Sequence, residues 1–178
     1  MFNLVTKNEM RKIITLAVLL IVVLSCKEKQ ENSSIDPVNW EKRKITHPLN
    51  DSLEQGSTYL SVYSQIYSQT EHKTHNLTVT ISMRNANEND SLFIESAKYY
   101  DTDGSLIRTY FDKPIYLKPM ETIEIVIDEK DNEGGSGANF IFNWRANALL
   151  TEPLFESVMI STYGQQGISF LTQGIRIK

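Results

Sequence analysis

The residues best able to do chemistry crowd into one stretch, Asp128 to Asn147. It opens with four acids, Asp128, Glu129, Asp131 and Glu133. A glycine run follows, Gly134-Gly135-Ser136-Gly137, and then Asn139, Asn143 and Arg145. A serine among glycines superficially resembles the nucleophile elbow of a hydrolase. That motif needs a strand before it and a helix after it. Here an alternating strand follows, and no histidine occurs beyond His75 to serve as the base. A phosphate-cradling loop fits no better, since neither a helix N-terminus nor a P-loop lysine follows. Two readings remain. One is a tightly bent loop between two core strands. The other is a ligand-binding loop at one end of the fold, where Ser136, Asn139, Asn143 and Arg145 hydrogen-bond an anionic or sugar ligand.

Other groupings are looser. Asp101 and Asp103 share one turn, and Asp131 lies in the acidic loop. Loops of this kind can supply some of the six to eight oxygens that calcium takes, although the spacing is not that of an EF-hand. One calcium bridging Asp101, Asp103 and Asp131 is therefore an expectation to test against solvated turns. His72 and His75 would face opposite ways on a strand and have no evident third ligand. Six tyrosines, Tyr59, Tyr63, Tyr67, Tyr99, Tyr100 and Tyr110, could form a carbohydrate platform or could be half-buried sheet residues. No nucleophile–base pair stands out, so the expected function is not catalytic.

The element that must position these groups is the strand after the glycines. Phe140, Phe142 and Trp144 alternate with Asn139, Ile141, Asn143 and Arg145. Three rings at period two bury more area than any other strand here, so this strand should be central. Alternation recurs over 58–66, 76–84, 92–100, 105–111, 122–128, 155–162 and 168–177. Asp101-Thr102-Asp103-Gly104 is a turn between two of these. Lys113-Pro114 and Lys118-Pro119 bracket Ile115 to Leu117, which proline confines to an edge. Eight or nine short strands with turns roughly every 8–12 residues predict an all-β antiparallel sandwich, Greek-key and immunoglobulin-like. A small β-barrel is the alternative.

Residues 1–25 read as an export signal. Lys7, Arg11 and Lys12 precede an apolar run of 12 residues, Ile13 to Leu24. That is too short to span a bilayer, which takes roughly 20 residues, and suits the core of a secretory signal. Val23-Leu24-Ser25-Cys26 resembles a bacterial lipobox, which implies cleavage before Cys26 and a diacylglycerol on its sulfur. This would explain the one cysteine of the chain, which allows neither an internal disulfide nor a thiolate zinc site. Residues 26–55 read as a lipidated flexible tether, polar and without a sustained period. Within it, Trp40 is expected to dock on the domain. The folded domain is expected over 56–178.

The chain is 40% hydrophobic and 22% charged, which fits a folded protein. Its formal charge is −4, falling to −6 once residues 1–25, with three bases and one acid, are removed. An acidic chain without a basic run excludes nucleic acid as a partner. Asp51-Ser52-Leu53 and Asp90-Ser91-Leu92 resemble a short bacterial O-glycosylation motif. Four ordered segments carry a wider resemblance: Tyr59 to Tyr67, Tyr99 to Gly104, Gly134 to Arg145, and Gly167 to Phe170. Together they resemble the bacterial domain-of-unknown-function family 3124, over roughly Gly56 to Ile177. The resemblance implies a small exported protein, often lipid-anchored, and no particular activity. The expected protein is therefore a non-catalytic envelope module. It is held to the membrane, on the periplasmic side or at the surface, by a lipid on Cys26. Its sandwich binds an envelope protein, or alternatively a polysaccharide.

Overall fold

A computed structural model describes Lys12, residues 38–162 and residues 167–178. The chain divides into two units, Met1–Glu31 and Asn32–Lys178, and everything below concerns the second. The signal sequence and Cys26 lie outside the described residues. Twelve strands are described, in the order β1 (Glu54–Ser61), β2 (Gln65–Ser68), β3 (Thr70–Asn76), β4 (Thr78–Arg84), β5 (Leu92–Tyr100), β6 (Leu106–Phe111), β7 (Ile115–Leu117), β8 (Thr122–Ile127), β9 (Asn139–Ala146), β10 (Leu154–Ser161), β11 (Ile168–Gln173) and β12 (Ile175–Arg176). They form one sheet of order β12-β1-β9-β5-β6, with β7 also on β5, and a second of order β11-β10-β4-β8. Every pairing is antiparallel. The sheets stay separate, so the fold is a sandwich and the barrel alternative is excluded.

The strand after the glycines is central, as its alternation requires. β9 lies between β1 and β5, and Phe140, Phe142 and Trp144 are fully buried. The rings run as a stack through the interior. Tyr99 and Phe140 lie 4.8 Å apart, Phe140 and Phe142 5.4 Å, and Phe142 and Phe155 of the opposite sheet 4.3 Å. Facing them are Val79, Ile81 and Met83 of β4 and Ile123, Ile125 and Ile127 of β8. Burying each such side chain is worth about 1.5–3 kcal/mol, so alternation in both sheets fixes the register. The Trp144 indole N–H donates to Thr58 Oγ1 at 3.0 Å. Gly56 lies beneath the ring, where a Cβ would come within 2.1 Å of it.

The stretch 58–66 is two elements rather than one strand. β1 ends at Ser61, and the chain turns to meet the glycine loop. Val62 N–H donates to Ala138 O at 2.9 Å, and the buried Ser64 hydroxyl donates to Gly135 O at 3.2 Å. β2 and β3 then form a separate hairpin, turned at Gln69 with φ 67°. β3 reads TEHKTHN and carries His72 and His75. With both faces polar, it has no hydrophobic period to find.

β7 is an edge segment, as its flanking prolines imply, and part of the polar stretch read as tether covers it. Trp40–Arg43 forms a 3-10 turn capped by Asn39. Trp40 is buried 4.8 Å from Phe111. Lys44 bridges Ile115, and Ile45 N–H donates to Pro114 O at 2.9 Å. Arg43 pairs with Glu121 at 2.9 Å. Burial works against Glu121 ionising, yet the Arg43 guanidinium and the Lys118 N–H hold its carboxyl below the usual range. Residues 38–45 are thus a strap that shields one exposed edge.

Candidate functional site

The loop 128–138 is pinned from below and from the side. Gly135 takes φ 68° and donates its N–H to Asn132 O at 3.1 Å. Thr102 Oγ1 donates to Gly134 O and accepts from Gly137 N–H, both at 3.0 Å. Gln65 N–H donates to Gly135 O at 3.0 Å. Gly134 sits on the Tyr99 hydroxyl, where a Cβ would fall 1.9 Å from the oxygen. The glycines serve close packing, and Ser136 stands in a turn that leads into β9, not into a helix. Gly134→Ala is expected to cost about 1–3 kcal/mol, because the buried tyrosine has nowhere to move. Urea unfolding of the two proteins measures this, and an unchanged midpoint would contradict the packing account.

A polar cluster beneath the loop was not legible in the sequence. Arg108 on β6 donates from Nη1 to Tyr110 Oη at 3.1 Å and to Asp131 Oδ2 at 3.0 Å. Its Nη2 reaches Glu133 Oε2 at 3.3 Å. Burial works against the Arg108 cation, but Tyr110 and Asp131 more than offset it and hold its pKa above the ordinary value. Burial also pushes the Tyr99 and Tyr110 hydroxyls up. Arg108 lies outside the acidic stretch, and only the β5–β6 hairpin brings it there.

The proposed calcium ligands are placed in different work. Asp101 Oδ1 accepts from Asp103 N–H at 2.9 Å and from Ser105 N–H at 2.8 Å, closing its own turn. Asp131 is taken by Arg108. The two loops do meet, through Thr102. Among the described residues no group of three or more His, Cys, Asp or Glu side chains is placed to hold a metal ion.

The four candidate ligand-binding residues separate into two ends. Asn139 pairs with Ser61, and Arg145 pairs with Gln55. Six residues of strand put them roughly 20 Å apart. Asn143 donates to Ser96 Oγ at 3.0 Å, and the Arg145 charge is matched by Glu95 at 2.6 Å. Gln55, Gly56, Ser57, Glu95, Asn143 and Lys178 line a shallow cleft of about 280 Å³ there. Nor do the six tyrosines make a platform. Tyr99 and Tyr110 are core residues, and Tyr67 stands exposed on the separate β2–β3 hairpin.

The outer face of the second sheet differs in kind. Leu154, Val158 and Ile160 of β10 are 42–46% exposed, and Leu171 of β11 is 64% exposed. Register pairs place Val126, Thr80, Val158 and Leu171 in one transverse row. Beside it runs a polar row, Glu124, Ser82, Glu156 and Gln173. Val158, Ile160 and Leu171 thus form an apolar patch on this face, rimmed by polar and charged residues.

Comparison with known protein families matches residues 55–177 to the family described as Protein of unknown function (DUF3124). No curated protein and no solved structure matches.

Proposed function

This chain belongs to the DUF3124 family, and from that premise we propose a non-catalytic envelope module, lipid-anchored at Cys26, whose sandwich docks another protein. One observation carries the docking reading. The outer face of β10 and β11 leaves Leu154, Val158, Ile160 and Leu171 open to water, at a cost that burial against a partner would remove. The chemistry of the rest agrees. Ser136 is held in a packed loop, Arg145 is neutralised by Glu95, and Asp131 by Arg108. The carbohydrate reading needs aromatic rings on one accessible face, and Tyr99 and Tyr110 are buried.

The anchor rests on the apolar run Ile13 to Leu24 followed by Ser25-Cys26. Metabolic labelling with palmitate should mark the wild-type chain and leave Cys26→Ala unlabelled. Equal labelling of the two, or none on either, would remove the anchor from the proposal. Docking is tested by a photo-crosslinking residue placed at Val158 in intact cells, with Asn147, in an exposed turn, as the control position. A discrete protein adduct at Val158 alone is expected. Its absence, or an adduct to polysaccharide, would overturn the reading.

A further inference from the structure

The exposed face ends at a strand edge with unusual composition. β11 pairs only with β10 among the described residues. Exposed edges are normally blunted by charge, proline, a bulge or a cover. The other edges follow that rule. β7 is covered by the strap at Lys44. β6 carries Arg108, and its pairing with β5 shifts register twice. β8 carries Glu124, and β12 is two residues long and includes Arg176. β11 reads ISFLTQ between Gly167 and Gly174. It has no charge, no proline and an unbroken register of six pairs with β10.

We propose that β11 is a dimerisation edge, and that the partner is a second copy of this chain paired antiparallel to it about a two-fold axis at Leu171. The proposal rests on the protein-docking reading above and names the partner. An axis at a residue, not between two, keeps the outer faces of both sheets on one side. Leu171 then meets its own copy, Ser169 meets Gln173, and Phe170 meets Thr172. The row Val126, Thr80, Val158, Leu171 stops at the edge of one chain. In the pair it continues without a break into Leu171, Val158, Thr80 and Val126 of the copy.

Charge favours the same arrangement. The acidic row ends at Gln173, and in this register it meets the row of Ser169 and Ile160. Glu156 of one chain therefore faces no carboxylate of the other, although both chains carry net negative charge. An isologous contact of this kind closes at two copies and leaves no second β11 edge to extend into a fibre.

Cysteine cross-linking of the full chain in isolated membranes tests the register. Opposed residues of an antiparallel pair have Cα atoms about 4.5–5.5 Å apart, within disulfide reach. Leu171→Cys should give a band of twice the monomer mass on a non-reducing gel after mild oxidation. The double variant Ser169→Cys/Gln173→Cys should do the same. Ser169→Cys alone should not, because its two copies lie roughly 13 Å apart along the strands. Wild type, whose one cysteine is the lipid-carrying Cys26, sets the background. Cross-linking of Ser169→Cys as strong as that of Leu171→Cys would overturn the register and the proposal. No dimer, with a photo-adduct to a different protein still formed at Val158, would overturn the second copy and leave the docking reading standing. Neither signal would overturn both.

Discussion

Trp144→Ala is expected to lower the free energy of unfolding by about 3–5 kcal/mol, the largest loss of any single truncation in this domain. The ring is fully buried on the central strand. Its indole N–H is bonded to Thr58 Oγ1, which would lose that partner. Gly56 has no side chain with which to fill the space. Three penalties therefore add: lost transfer energy, a cavity that cannot collapse, and a hydroxyl left unpaired. Trp144→Phe retains most of the volume and should lose roughly half as much. Equilibrium urea unfolding gives both values. A loss below about 1 kcal/mol for Trp144→Ala would show that the flanking strands, and not β9, carry the core.

The second large effect separates two carboxylates that share one guanidinium. Asp131 and Glu133 both pair with Arg108, at 3.0 Å and 3.3 Å. The Asp131 side chain is 3% exposed and that of Glu133 is 62% exposed. Asp131→Ala leaves a largely buried cation without its inner partner and should cost about 3 kcal/mol. Glu133→Ala removes a solvated pair and should cost less than about 1 kcal/mol. Asp131 has a further peculiarity: its buried Oδ1 has no hydrogen-bond partner among the described residues. Asp131→Asn keeps one oxygen that can accept from Arg108 Nη1 but not the charge, and should recover part of the loss. Thermal and urea unfolding of the three variants measure the order. Equal losses for Asp131→Ala and Glu133→Ala would mean that burial does not set the value of this pair.

How much of this was legible in the sequence depended on whether a signal was local. β9 announced itself because three rings at period two have no other good use, and the same held for Leu77 to Met83 and Ile123 to Ile127. β3 was invisible because its partner β2 gives it no buried face, so nothing in TEHKTHN alternates. The strap has the composition of a tether because its attachment rests on one aromatic ring, one ion pair and a few backbone bonds, and composition averages those away. The candidate ligand residues lie apart for a geometric reason. Asn139, Asn143 and Arg145 do share a face, as the alternation implies, but a strand spreads what a list of neighbours gathers. The Arg108 cluster was hidden for the opposite reason. Its members are distant in sequence, and only the hairpin and the acidic loop together bring them into contact. The apolar outer face could have been suspected from Val158 and Ile160, which break the rule that one face of a β-strand is polar.

The last strand, β12, pairs with the first, β1, through Thr58 with Arg176 and Tyr59 with Ile175. Ile177 N–H also donates to Ser57 O at 2.8 Å, and Arg176 reaches Glu54 at 2.6 Å. Partners this remote in sequence must find each other by diffusion of a long loop, which places such topologies among slow folders, in the millisecond-to-second range. The outer edge of β1 therefore stays unpaired until residues 175–177 reach it. A chain made N-terminus first holds that edge open through most of its synthesis, and its closure belongs to the last events of folding.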